Sequence, residues 1–149
     1  CQNNEFAKGG VDIFDEVLEI SDVDVPLFAV GCETDHIAAW KDSYRGIKQM
    51  SSSSKTFILS QSGHIGGIIN PPERKKHGYY TNTNLNQNSI EWRADAEFVK
   101  ESWWSFWGGW LATRSGSTKS RLPVGSADFK PLCDAPGLYV SHKVLVKEK

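Results

Sequence analysis

The chain has 149 residues, enough for one domain or for a piece of a larger one. Hydrophobic residues at 39% and charged residues at 23% exclude wholesale disorder. Lys+Arg 17 against Asp+Glu 18, a net charge of -1, excludes the basic excess of a dedicated nucleic-acid binder.

In chain order, Cys1 to Gly10 is polar and glycine-ended and reads as a surface segment. Val11 to Ile20 sets two apolar patches around Asp15-Glu16, which predicts a short hairpin or lid-like excursion. Val25 to Gly31 is a nearly continuous apolar run ended by glycine, the pattern of a strand buried on both faces of a parallel sheet. Glu33, Thr34, Asp35 and His36 follow, and then a helix is predicted over Ala39 to Met50. Trp40, Tyr44 and Ile47 share one face of it at i, i+4 and i+7, with Lys41, Asp42, Arg45 and Lys48 on the other. Ser51 to Ser54 ends the helix. Lys55 to Ser60 is the next predicted strand, and it runs into Ser62-Gly63-His64. Strand, helix and strand with short connections read as a right-handed βαβ crossover.

Ile68 to Pro72 closes in a proline turn, and Glu73 to Asn88 reads as polar loop. Asn88 with Glu91 fits a capping box, so a helix is predicted to start there. A further helix over Ser102 to Arg114 ends at the Gly116 stop signal. Its Trp103, Trp107 and Trp110 recur at i, i+4 and i+7 and are predicted to face the core, while Trp104 and Phe106 fall elsewhere on it. Ser115 to Pro136 is irregular, with one last short strand predicted around Leu138 to Val140. No internal repeat or linker divides the chain, so residues 1–149 are expected to belong to one domain. The uncharged stretches, Thr56 to Pro72 and Ser102 to Thr113, are respectively too polar and too short to span a bilayer.

The 3 cysteines, Cys1, Cys32 and Cys133, are odd in number and far apart, with no C-x-x-C pair. Neither a disulfide scaffold nor a structural zinc site is expected, and no other metal site is read. Cys32 ends a buried strand and reads as a small core residue. No basic-then-apolar leader opens the sequence, so a cytoplasmic, reducing setting is expected. The chain also opens without an initiator Met, and an amino-terminal part is expected to be missing.

In an open parallel sheet the functional crevice lies at the carboxyl ends of the strands. Asp35 comes just after the first crossover strand and His64 just after the second, on the small residues Ser62-Gly63 that allow close backbone approach. If the strands are neighbours, a carboxylate and an imidazole meet at one sheet edge, which suits an acid that orients a general base. The plainer alternative is an Asp that caps the next helix beside a solvated loop His. His36 adjoins the acid, and a structural role is favoured for it over direct chemistry, because neighbours on a turn rarely point the same way.

The string Asp35-His36-Ile37, then Trp40, then Phe57 through Pro72 (F-I-L-S-Q-S-G-H-I-G-G-I-I-N-P-P) closely resembles the carboxyl-terminal part of polyhydroxyalkanoate synthases. The resemblance continues through Tyr80-Thr81-Asn82, the run Ser102-Trp103-Trp104-x-x-Trp107-x-x-Trp110-Leu111, and Ala135-Pro136-Gly137-x-Tyr139-Val140. The long tail after His64 resembles the class I and class II enzymes. This resemblance implies an α/β fold, the carboxyl-terminal part of an α/β-hydrolase fold with a mostly parallel, incomplete sheet and crossover helices.

It further implies an acyltransferase that joins (R)-3-hydroxyacyl groups from coenzyme A thioesters into a growing polyester and releases coenzyme A. A Cys-His-Asp triad is implied, in which Asp35 matches the acid and His64 the base, with His36 as a supporting residue. No cofactor is implied beyond the coenzyme A thioester substrate. A homodimer at the surface of a cytoplasmic polymer granule is implied for the full-length protein. The family's nucleophile lies in a G-x-C-x-G elbow, and no cysteine here has that setting. The nucleophile is therefore not expected in this chain.

Two alternatives stay open at this point. Another α/β-hydrolase relative (an esterase, thioesterase or depolymerase) would share Asp35 and His64 but use a serine nucleophile. A non-catalytic binding module would use the tryptophan helix instead. Arg74-Lys75-Lys76 can attract a coenzyme A phosphate, but it reads first as a solvated basic loop.

Overall fold

The computed structural model describes residues 3–74 and 76–142. It divides into two compact units, Cys1–Ser115 and Gly116–Lys149.

The first unit opens with the predicted hairpin. Strands β1 (Val11–Ile13) and β2 (Glu16–Leu18) pair antiparallel with Ile13 opposite Glu16. Phe14 and Asp15 form the two-residue connection, both left-handed at φ 55° and 66°. That conformation matches the twist of the flanking strands.

The crossover follows. Strand β3 (Leu27–Cys32), helix α1 (Trp40–Gln49) and strand β4 (Lys55–Ser60) form a parallel unit in register from Leu27 opposite Lys55 to Cys32 opposite Ser60. The periodicity of α1 decides what it buries: Tyr44 and Ile47 pack on Phe57 and Leu59 of β4, with Trp40 half-buried alongside. Helix α2 (Ser89–Ala94) starts at the expected capping box. Asn88 Oδ1 accepts from the backbone N–H of Ile90 and Glu91 at 2.9 and 3.0 Å, and Glu91 Oε2 accepts from Asn88 N–H at 3.1 Å.

This start aims Trp92 into the centre of the core, where it is fully buried. Its Nε1 donates to the Asn82 carbonyl at 3.0 Å, and its ring meets Phe57 and Tyr44 at centroid distances of 5.1 and 5.5 Å. Trp92→Ala is expected to cost about 3–5 kcal/mol in a denaturant unfolding measurement. An unfolding curve that superimposes on the parent's would contradict this packing.

The sheet is mixed, not mostly parallel. Its order is β3-β4-β5-β6, with β5 (Tyr79–Thr81) antiparallel to β4 and β6 (Glu97–Val99) antiparallel to β5. Strand β5 lies in the stretch read as polar loop. Three residues are too few for an alternating pattern to show, although Tyr79-Tyr80-Thr81 has the aromatic and β-branched composition of a strand. Nor is β3 buried on both faces. It is paired only with β4 among the described residues, and Leu27 to Val30 stay half-buried, whereas the inner β4 is buried from Phe57 to Ser60.

Helix α3 (Trp103–Ala112) is capped by Ser102, whose Oγ accepts from Trp104 N–H at 3.1 Å. The inward face is rotated from the expected one. Trp103 is buried against Ile58 and Tyr79, and Phe106 and Trp110 meet the Phe28 ring at 5.5 and 5.6 Å. Trp107 instead rests only on the Trp103 ring, although it and Phe106 are exposed to the same degree, 39% and 40%. The aromatic contacts with the sheet thus come from 103, 106 and 110, an equally helical spacing that a tryptophan-only reading passes over.

The described part of the second unit is irregular and carries no buried side chain. Where a strand was expected at Leu138 to Val140, there is a 3-10 turn over Tyr139–Ser141, closed by Ser141 N–H to the Leu138 carbonyl at 3.1 Å. A three-residue apolar run carries no period of its own to separate turn from strand. No helix among the described residues is long and apolar enough to cross a membrane.

Candidate active site

The parallel register of β3 and β4 carries on past their ends. Glu33 N–H donates to the Ser60 carbonyl at 2.9 Å and Thr34 N–H to the Ser62 carbonyl at 3.2 Å. The two loops therefore leave the sheet side by side at its carboxyl edge, one holding Asp35 and the other His64.

Asp35 is fixed by the backbone that follows it. Its Oδ1 accepts from Ile37 N–H at 2.8 Å and from Ala38 N–H at 3.0 Å, an Asx-type turn that leads into α1. The side chain is only 7% exposed. The Ala38 and Ile37 N–H groups, and after them the charges of His64 and His36, hold the carboxyl below the ordinary Asp range. The plainer reading of Asp35 as an acid that leads into the next helix thus describes the same carboxylate, whose Oδ1 also faces the imidazole.

His64 stands on a tighter turn than glycine content suggests. The left-handed residue is Ser62 at φ 75°, not Gly63. The close approach is at Gly67, where an added Cβ would lie 2.7 Å from Cys32 Sγ and 2.9 Å from the carbonyl oxygens of Gln61 and Gly63. Gly67→Ala is expected to cost about 1–3 kcal/mol in thermal unfolding, because two of the three obstacles are backbone. An unchanged melting temperature would show that the turn yields.

His64 Nδ1 lies 3.5 Å from Asp35 Oδ1. This is an ion-pair distance, longer than a formed hydrogen bond, and Nδ1 is buried without any other partner. The ring as a whole is 38% exposed, so the exposure belongs to its remaining edge. The His36 ring packs edge-on to His64 with centroids 5.3 Å apart, so His36 joins the pair. One ligand atom each of Asp35, His36 and His64 falls within 4.8 Å of the others, and these three can ligate a divalent ion. The same atoms suit an acid that holds one edge of an imidazole while the other edge exchanges a proton.

The cysteines stand apart from this pair. Cys32 is buried at the end of β3, and burial, then the Asp35 charge, pushes its thiol pKa up, away from a reactive thiolate. Cys133 is exposed in the second unit, and Cys1 lies outside the described residues. Arg74 and Lys76 are exposed, as a solvated loop requires, and Lys75 lies outside the described residues.

Contacts made over long sequence separations were not legible beforehand. Arg93 of α2 donates Nη2 and Nε to Glu33 Oε1 at 2.8 and 3.1 Å while its guanidinium covers the Tyr80 ring at 3.3 Å. It ties the segment leading to Asp35 onto the sheet. Trp103 Nε1 donates to the Gly67 carbonyl at 2.8 Å and Trp104 Nε1 to the Ile68 carbonyl at 2.9 Å, both on the loop after His64. The adjacent tryptophans of the run were the only sequence signal for these bonds.

No protein-family model matches the chain. It is 32% identical over 143 residues to the poly(3-hydroxyalkanoate) polymerase subunit PhaC of Cupriavidus necator, covering 95% of this chain and 24% of that protein. It is 36% identical over 132 residues to poly(3-hydroxyalkanoate) polymerase 2 of Ectopseudomonas oleovorans, covering 88% and 23%. The PhaC subunit of Rhizobium meliloti is 32% identical over 139 residues, covering 92% and 22%. By its sequence the chain belongs with the poly(3-hydroxyalkanoate) polymerases, and it spans about a quarter of the length of these relatives.

Proposed function

We propose that this chain supplies the base and the orienting acid of a polyester-forming acyltransferase, with the nucleophilic cysteine on another part of a longer polymerase of α/β-hydrolase type. The observation that carries this reading is the Asp35–His64 pair at the carboxyl edge of two parallel strands, 3.5 Å apart. The names of the relatives favour polymer synthesis over hydrolysis.

In this reading the imidazole of His64 takes the proton of the cysteine thiol, and the thiolate attacks the thioester carbonyl of an (R)-3-hydroxyacyl-coenzyme A. The C–S bond to coenzyme A breaks, and the imidazolium returns the proton to the departing thiolate. The 3-hydroxyl of a second acyl unit then attacks the acyl-cysteine. His64 accepts that hydroxyl proton, an ester forms, and the cysteine is released. Asp35 holds the imidazole tautomer and stabilises the imidazolium throughout. The exposed ring edge of His64 is the side from which both protons arrive. Homodimerisation and residence at a cytoplasmic granule surface belong to the same reading.

The test compares residues 1–149 with the full-length polymerase in a thiol-release assay on 3-hydroxybutyryl-coenzyme A. The isolated chain, whose sequence has no G-x-C-x-G elbow, is expected to release no coenzyme A above background. Cys32→Ser and Cys133→Ser in the full-length enzyme are expected to keep near-parental turnover. Robust release by the isolated chain, abolished by Cys32→Ser, would overturn the reading. Release of free hydroxy acid without polymer by the full-length enzyme would point to a hydrolase instead.

A further inference from the structure

Among the described residues no side-chain hydrogen bond fixes His64, since Nδ1 is unpartnered and 3.5 Å from Asp35. Its place opposite the carboxylate is therefore set by its backbone. That backbone leaves β4 and belongs to no strand or helix until the turn over Pro72–Arg74. What holds it is the start of α3. The Gly67 carbonyl accepts from two donors, Trp103 Nε1 and Ser60 Oγ, both at 2.8 Å. The next carbonyl, of Ile68, accepts from Trp104 Nε1 at 2.9 Å, and Ser102 Oγ donates to the Asn70 carbonyl. Gly67 N–H in turn donates to the Gly63 carbonyl at 2.8 Å, closing the turn that contains His64. Three consecutive residues of one helix start thus bind three carbonyls of the loop that bears the candidate base.

We propose that Trp103 and Trp104 are positioning residues for His64, acting through their indole N–H groups on the Gly67 and Ile68 carbonyls. The inference rests on the proposed role of His64. An indole is suited to this task because it is a single directional donor on a rigid, well-packed ring. Each carbonyl keeps a second donor, Ser60 Oγ on Gly67 and the Asn70 N–H at 3.0 Å on Ile68, so loss of an indole N–H loosens the loop without unfolding it, and the imidazole drifts from the carboxylate opposite it.

The test uses the full-length polymerase with Trp104→Phe, and with 3-benzothienylalanine at Trp104, which keeps the bicyclic shape and removes only the donor. Trp107→Phe is the control, since Trp107 makes no contact with the loop's carbonyls among the described hydrogen bonds. Each Trp104 replacement is expected to lower kcat for coenzyme A release roughly tenfold with KM within about twofold, the signature of an effect on the reacting step. The control should match the parent in both kcat and KM. A Trp104 replacement that lowers the melting temperature but leaves kcat at the parental value would overturn the inference and make the indole merely structural. If His64→Gln itself keeps parental turnover, the underlying reading fails instead, so the two failures are separable.

Discussion

Replacing His64 by Gln in the full-length polymerase is expected to cut coenzyme A release by roughly 10²–10⁴-fold, the usual worth of a positioned general base. Gln fills much of the same space but cannot accept and return a proton near neutral pH. The protein itself should stay folded. The His64 ring is 38% exposed and its Nδ1 makes no hydrogen bond, so its removal should change stability by no more than about 0.5 kcal/mol. Loss of turnover together with an unchanged unfolding midpoint is the expected pair of results. Turnover within a few-fold of the parent would remove His64 from the chemistry.

Asp35→Asn should be nearly as severe, on the order of 10³-fold, for a different reason. Asn keeps an Oδ1 that can still accept from the Ile37 and Ala38 N–H groups, so the turn survives. What is lost is the charge, so the imidazolium that forms on His64 during turnover is no longer supported. Asp35→Ala would also strip both backbone bonds, so the Asn variant is the cleaner measurement. The stability of the two proteins should differ with pH in a definite sense. The Asp35 carboxyl is held below its ordinary range in the fold by the Ala38 and Ile37 N–H groups. Its contribution is therefore present above the unfolded carboxyl pKa and is lost as pH falls through the lower folded value. Unfolding midpoints measured from neutral pH downward should fall more steeply for the parent than for Asp35→Asn. Parallel pH curves would show that the carboxylate gains nothing from its turn.

The candidate site was legible because its two residues follow elements with strong signals. The apolar run from Val25 to Gly31, the helical spacing of Trp40, Tyr44 and Ile47, and the strand Lys55 to Ser60 all appear within a residue or two of their expected places. A crossover fixes what comes next to its carboxyl ends, and so Asp35 and His64 meet. Strands β5 and β6 left no period because each is three residues long. The sheet could not be recognised as mixed without them. The strained residue Ser62 and the crowded Gly67 depend on what packs above the turn, and local composition pointed to Gly63 instead. The indole bonds of Trp103 and Trp104 and the Arg93–Glu33 pair join residues far apart in sequence. Only the assembled fold brings such partners together.

The most direct test of the central claim, that this chain supplies the base and not the nucleophile, is mass-spectrometric mapping of the acyl-enzyme formed by the full-length polymerase on 3-hydroxybutyryl-coenzyme A. The account predicts a single acylated cysteine outside residues 1–149, formed quickly by the parent and far more slowly by His64→Gln. An acyl group on Cys32 or Cys133, or parental acylation rates in His64→Gln, would contradict it.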